Sequence, residues 1–135
     1  MGRPKVRHLA IFARNPRALA EFYRDVLEME IINSEPDGSA FFVTDGYLTL
    51  ALLPHRLEGS APVGINHFGF AVDDVAEISK RFAARGLESP KRRGVDRPYA
   101  EYRGADPEGN WFDLSAHGYE DAETEAARDR RKVPA

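Results

Sequence analysis

The sequence predicts an α+β fold in which one plan, a strand, a helix and further strands, is laid down twice. Two observations carry that prediction. A short apolar run with an early histidine and a helix cap seven residues on occurs in VRHLAIFARNP and again in INHFGFAVDDV. An offset of 59 residues takes His8 to His67, Asn15 to Asp74, Leu19 to Ile78 and Tyr23 to Phe82. Internal duplication explains such parallel punctuation better than coincidence.

Each element has its own local reason. Val6 to Phe12 is a short apolar run bounded by turn residues, as a strand requires. Asn15-Pro16 reads as an N-cap with proline at the first helical position, where a missing N–H costs nothing. Leu19, Phe22, Tyr23, Val26 and Leu27 recur every three or four residues and make one apolar helical face. Met29 to Asn33 is expected as the second strand, Pro36-Asp37-Gly38 as a turn, and Ala40 to Thr44 as the third strand. Asp45-Gly46 is a hairpin turn that sends Tyr47 to Leu53 back antiparallel. A linker rich in proline and glycine follows, and Ile65 to Val72 restarts the pattern. Asp74 with Glu77 is a capping box, Val75, Ile78 and Phe82 form the helix face, and Gly86 ends it. Short strands are expected at Glu88 to Lys91, Tyr99 to Arg103 and Trp111 to Ala116, with a turn at Asp106 to Asn110.

These bounds give one domain over residues 1–119, with module one at 5–53, a linker at 54–64, module two at 65–117 and a charged tail at 120–135. A chain of 135 residues has room for one real core. A formal net charge of −3 offers no attraction to nucleic acid or an anionic membrane. No segment nears the roughly 18 apolar residues of a membrane helix, and no signal-peptide run follows the N-terminus. No membrane or nucleic-acid partner and a cytoplasmic location are therefore expected. The absence of cysteine excludes disulfides and thiolate metal sites.

Strand alternation orients the candidate site. His8 shares a face with Ala10 and Phe12, and His67 with Gly69 and Ala71, so small neighbours leave room beside each imidazole. Asp113 lies between Phe112 and Leu114, which should pack under the helices, so its carboxylate should face the other way. Two imidazoles and a carboxylate suit one divalent ion, Fe2+, Mn2+, Zn2+ or Ni2+, if they converge. The plainer alternative is two strand histidines hydrogen-bonded without metal. His55 and His117 read as rim residues; four residues of strand put His117 ~13 Å from Asp113.

FYRDVLEMEI, NHFGFAVDDV and DPEGNWFDL, in that order over a duplicated βαβββ plan, resemble the vicinal oxygen chelate superfamily. That group includes glyoxalase I, methylmalonyl-CoA epimerase, fosfomycin and bleomycin resistance proteins, and extradiol dioxygenases. The resemblance implies two βαβββ modules forming a half-open curled sheet around a cup, the glyoxalase/bleomycin resistance/dioxygenase fold. It implies metal ligands at His8, His67 and Asp113, the last in place of the usual glutamate. The position of a fourth ligand falls on Thr49, or on Ala51 if the register slips, and neither is a usual ligand. The position of the dioxygenase tyrosine holds Arg103, with Tyr102 beside it on the opposite face.

The function read from these residues is that of a metal-dependent isomerase, lyase or dioxygenase acting on a small, anionic, oxygen-rich substrate. Arg103 would hold the anionic group. Glu101, on the same strand face, would be the base or Arg103's ion-pair partner. Phe12, Tyr47, Thr49, Tyr99, Tyr102 and Trp111 are the candidate pocket residues, and the loop carrying Arg92, Arg93 and Arg97 reads as a solvated basic loop that could also cover the cup. The alternatives are a non-enzymatic binding protein of the bleomycin resistance type and a metal-dependent fosfomycin-type transferase. The resemblance also implies a homodimer.

Overall fold

The structure, a computed structural model, describes residues 2–56, 61–94 and 100–117. These hold two helices and eight strands, an α+β fold of mixed, open sheet, as the sequence predicts. The chain divides into two compact units, one of residues 8–66 and one of residues 1–7 with 67–119.

The first unit holds most of β1 (Lys5–Ala13), then α1 (Pro16–Leu27), β2 (Glu30–Ser34), β3 (Phe41–Thr44) and β4 (Thr49–Pro54). Its strands lie in the order β2-β3-β4-β1, with β1 parallel to β4 and the other pairs antiparallel. Helix α1 starts where expected: Ala18 N–H donates to Asn15 Oδ1 at 3.0 Å, and Pro16 takes the first helical position. It ends at Glu28, whose φ of 59° lies in the left-handed region. Ala20, with Leu19 and Tyr23, packs α1 on one face of the sheet, against Phe41, Val43, Leu50 and Leu52. Burial of each such side chain contributes about 1.5–3 kcal/mol. The polar positions between them must therefore point to the helix-free face.

Strand β5 (Gly64–Ala71) leads into the second unit. Helix α2 (Val75–Ala84), β6 (Lys91–Arg92), β7 (Tyr102–Ala105) and β8 (Trp111–Ser115) follow. Here the order is β5-β8-β7-β6, with β5 parallel to β8. The second unit thus repeats the first strand for strand. Glu77 N–H donates to Asp74 Oδ1 at 3.2 Å and caps α2. Ile78 and the flanking Phe82 meet Phe112, Leu114, Phe68 and Phe70, and the Phe70 and Phe112 rings meet edge to face at 5.7 Å. Gly104 keeps this packing close: a Cβ would stand 3.2 Å from both the Phe112 ring and Pro90, which would have to give way by a few tenths of an ångström.

Most strand bounds differ from the sequence expectation by a single residue, and three strands differ by more. Strand β4 begins at Thr49 rather than Tyr47, because Asp45 Oδ1 accepts the N–H groups of both Tyr47 and Leu48 at 2.8 Å and widens the turn. Strand β6 is Lys91–Arg92, and β7 begins at Tyr102, one residue beyond Glu101. Tyr99, Arg97 and the tail at 120–135 lie outside the described residues.

Candidate metal centre

On the helix-free face of the second unit, strand pairing sets Gly69, Asp113, Arg103 and Lys91 in one row. The cause is alternation: Phe112 and Leu114 are drawn under α2, so Asp113 between them has to face away. It is nonetheless 1% exposed. A buried carboxylate needs charge compensation and hydrogen bonds. Arg103 Nε donates to Asp113 Oδ1 at 2.9 Å, and an Arg93 nitrogen lies 3.9 Å from the same oxygen. The other oxygen, Oδ2, lies 3.1 Å from His67 Nε2. Gly69, directly across from Asp113, adds no side chain over this group. The Arg103 guanidinium also sits over the Trp111 ring, 5.3 Å from its centre, and Trp111 is half exposed.

The first unit has a polar row of its own, His8, Thr49, Thr44 and Glu30, again on the helix-free face. His8, Thr49 and Thr44 are buried. Thr44 Oγ1 donates to Leu48 O and accepts from Gly46 N–H, both at 3.0 Å. Thr49 Oγ1 is buried without a hydrogen-bond partner among the described residues. An unsatisfied buried hydroxyl costs about 1–3 kcal/mol. Glu30, at the far end of this row, alternates with Ile31, which packs under α1.

Other candidates lie elsewhere. Glu101 does not pair with Arg103: its Oε1 accepts from the Ser115 hydroxyl at 2.6 Å and from Ala116 N–H at 3.0 Å. Direct cross-strand pairing gives Arg103 to Asp113 instead. Burial pushes the Glu101 carboxyl up, but Ser115, Ala116 N–H and His117 outweigh it and hold the group below the ordinary glutamate range. Tyr102 packs on the helix side with Phe82 and Phe112. Phe12 lines an open groove of about 500 Å3 with Leu19, Phe22 and Val63, all within the first unit. Tyr47 stands on the β3–β4 turn, about half exposed. His55 Nε2 lies 3.0 Å from Ala61 O, and His117 N–H donates to Ser115 Oγ. Neither is near a metal-ligand role.

Among the described residues, His67 and Asp113 in the second unit and His8 in the first are largely buried side chains of the kinds that ligate a divalent metal ion. The donor set fits such an ion chemically: two imidazoles and one carboxylate, each largely withdrawn from solvent.

The family model for the glyoxalase/bleomycin resistance protein/dioxygenase superfamily matches residues 5–114. The chain belongs to this superfamily. No curated protein matches it at a significant level. Solved structures similar to this superfamily member include the 2,3-dioxygenase LapB from Pseudomonas sp. KL28. The two are 20% identical with a TM-score of 0.60, over 85% of this chain and 40% of that one. The Mn(II)-bound glyoxalase from Novosphingobium aromaticivorans is likewise 20% identical with a TM-score of 0.60, over 82% and 36% of the two chains. A variant of the Streptomyces coelicolor methylmalonyl-CoA epimerase, in complex with 2-nitronate-propionyl-CoA, is 21% identical with a TM-score of 0.56, over 82% and 92%. At these identities the likeness is one of fold.

Proposed function

We propose that this superfamily member is a divalent-metal-dependent enzyme whose His8, His67 and Asp113 hold the ion. Its substrate is a small, anionic, oxygen-rich organic molecule, and its chemistry is that of an isomerase, lyase or dioxygenase. The observation that carries the reading is Asp113: a carboxylate buried to 1% exposure, with one oxygen turned to an imidazole. Bound by these residues, a divalent ion supplies Lewis-acid activation of a substrate oxygen or, if it is iron, oxygen activation. Arg103 fixes the Asp113 carboxylate through Nε, and its terminal nitrogens are the proposed contact for the substrate's anionic group. Trp111 gives the guanidinium a flat surface to rest on. Glu101 we assign to holding the end of β8 rather than to proton transfer, since a lowered carboxyl is a weaker base. A cytoplasmic homodimer completes the proposal. The exposed Phe22, Val26 and Leu27 on α1 support a partner surface.

A second reading is supported by one observation: Arg103 and Arg93 already compensate Asp113, so its burial does not by itself demand an ion. In that case the fold is a small-molecule binding module without catalysis. Elemental analysis of untagged protein, beside His67→Ala, separates the two. Stoichiometric metal in the wild type and its loss in the variant support the enzyme. Metal near zero in both, after incubation with Fe(II), Mn(II), Zn(II) and Ni(II), supports the binding module. Substrate screens with and without oxygen then divide redox from non-redox chemistry.

A further inference from the structure

Thr49 and His8 are direct partners in the parallel β1–β4 ladder. Their side chains therefore leave the sheet on the same face, one strand spacing of about 4.8 Å apart. Thr49 is 1% exposed, and its hydroxyl has no hydrogen-bond partner among the described residues. Its surroundings explain why. The neighbouring hydroxyl, Thr44 Oγ1, is committed to Leu48 O and Gly46 N–H. Ala51 and Ala10, the next positions along the same face, carry no polar side-chain atom. Buried polar groups in native proteins are nearly always paired, with protein, water or ligand. A hydroxyl offers one donor and two acceptor sites, so an oxygen ligand or water satisfies it well.

We infer that the Thr49 hydroxyl hydrogen-bonds to an exchangeable oxygen of the ion's coordination shell, on the His8 side. That oxygen belongs to water in the resting protein and to the substrate in the complex. The inference rests on the metal reading above and deepens it. Thr49 is then a positioning residue, which orients an oxygen that the ion holds. A hydrogen bond to a group in the shell fixes that group's direction, and its loss lowers metal affinity.

The test uses the full untagged chain with Mn(II) alone. Binding is read from loss of the free Mn(II) signal in electron paramagnetic resonance, and bound water from water-proton relaxation. Thr49→Val keeps the side-chain volume and removes the hydroxyl; Thr49→Ser keeps the hydroxyl. The expected result is binding about tenfold weaker in T49V, with altered relaxation, and within about threefold of wild type in T49S. Unchanged affinity and relaxation in folded T49V overturn the inference and leave the metal reading standing. Failure of the wild type to bind Mn(II), Fe(II), Zn(II) or Ni(II) overturns both. If T49V does not fold, Thr49→Ala, which also removes the hydroxyl and adds no ligand atom, carries the same expectation and the same overturning result.

Discussion

At Asp113 two guanidinium groups and an imidazole surround one carboxylate that water scarcely reaches. Removing the closest guanidinium leaves a buried charge under-compensated. Arg103→Leu should therefore cost about 2–3 kcal/mol, discounted from the fully buried case because Arg103 keeps some exposure. Under the metal reading, added Zn(II) should recover part of that loss in thermal melts, since the ion replaces the missing positive charge. A melt unmoved by Zn(II) would count against the ion. Glu101→Gln should cost about 1–2 kcal/mol at neutral pH, through its weakened bonds to Ser115 and Ala116 N–H. Because the folded carboxyl is lowered, that contribution is present above its unfolded pKa of about 4.3 and is lost as pH falls through the folded value. Wild-type and variant melting temperatures should converge in acid. The strand faces of His8, His67 and Asp113 were legible, because alternation fixes which side of a sheet a residue occupies. Arg103's partner was not, because it depends on which residues stand opposite each other across β7 and β8, and neither strand states its own register.

The elements themselves were legible wherever a chemical stop or start is written into the chain. Asn15-Pro16 and Asp74 fix the helix starts, and both caps form their side-chain bonds. Asn15→Ala and Asp74→Ala should each cost about 1 kcal/mol, measured by urea unfolding, with no change in fold by circular dichroism. Strand edges were less legible. A single aspartate, Asp45, holds two successive N–H groups and keeps Tyr47 out of β4. The same dipeptide would have allowed a tighter hairpin, so composition alone does not fix the strand's first residue. The end of α1 offers a test of the opposite sign. Glu28 holds a left-handed φ of 59° that favours glycine. Glu28→Gly should raise stability by about 0.5–1 kcal/mol, and a fall in the urea midpoint would show that another contact of Glu28 matters more.

At the scale of the whole chain, the repeat explains why so much could be read from so little. Each unit packs one helix on one face of four strands and leaves a polar row on the other. A 59-residue offset in the sequence was enough to show that plan, although few residues are identical at matched positions. What the repeat could not show is where the two rows differ: threonine opposite His8, arginine opposite Asp113. Those differences, rather than the shared plan, hold the chemistry. Trp111 adds a practical consequence. It is the chain's single tryptophan, and the guanidinium on its ring is the one bonded to Asp113. The protein therefore carries its own optical reporter two non-covalent contacts away from the carboxylate in question. Titration with an unlabelled divalent ion should change the indole emission and saturate, and the change should vanish in Asp113→Asn. A spectrofluorometer and micrograms of protein can then rank candidate ions and small molecules before any activity is known.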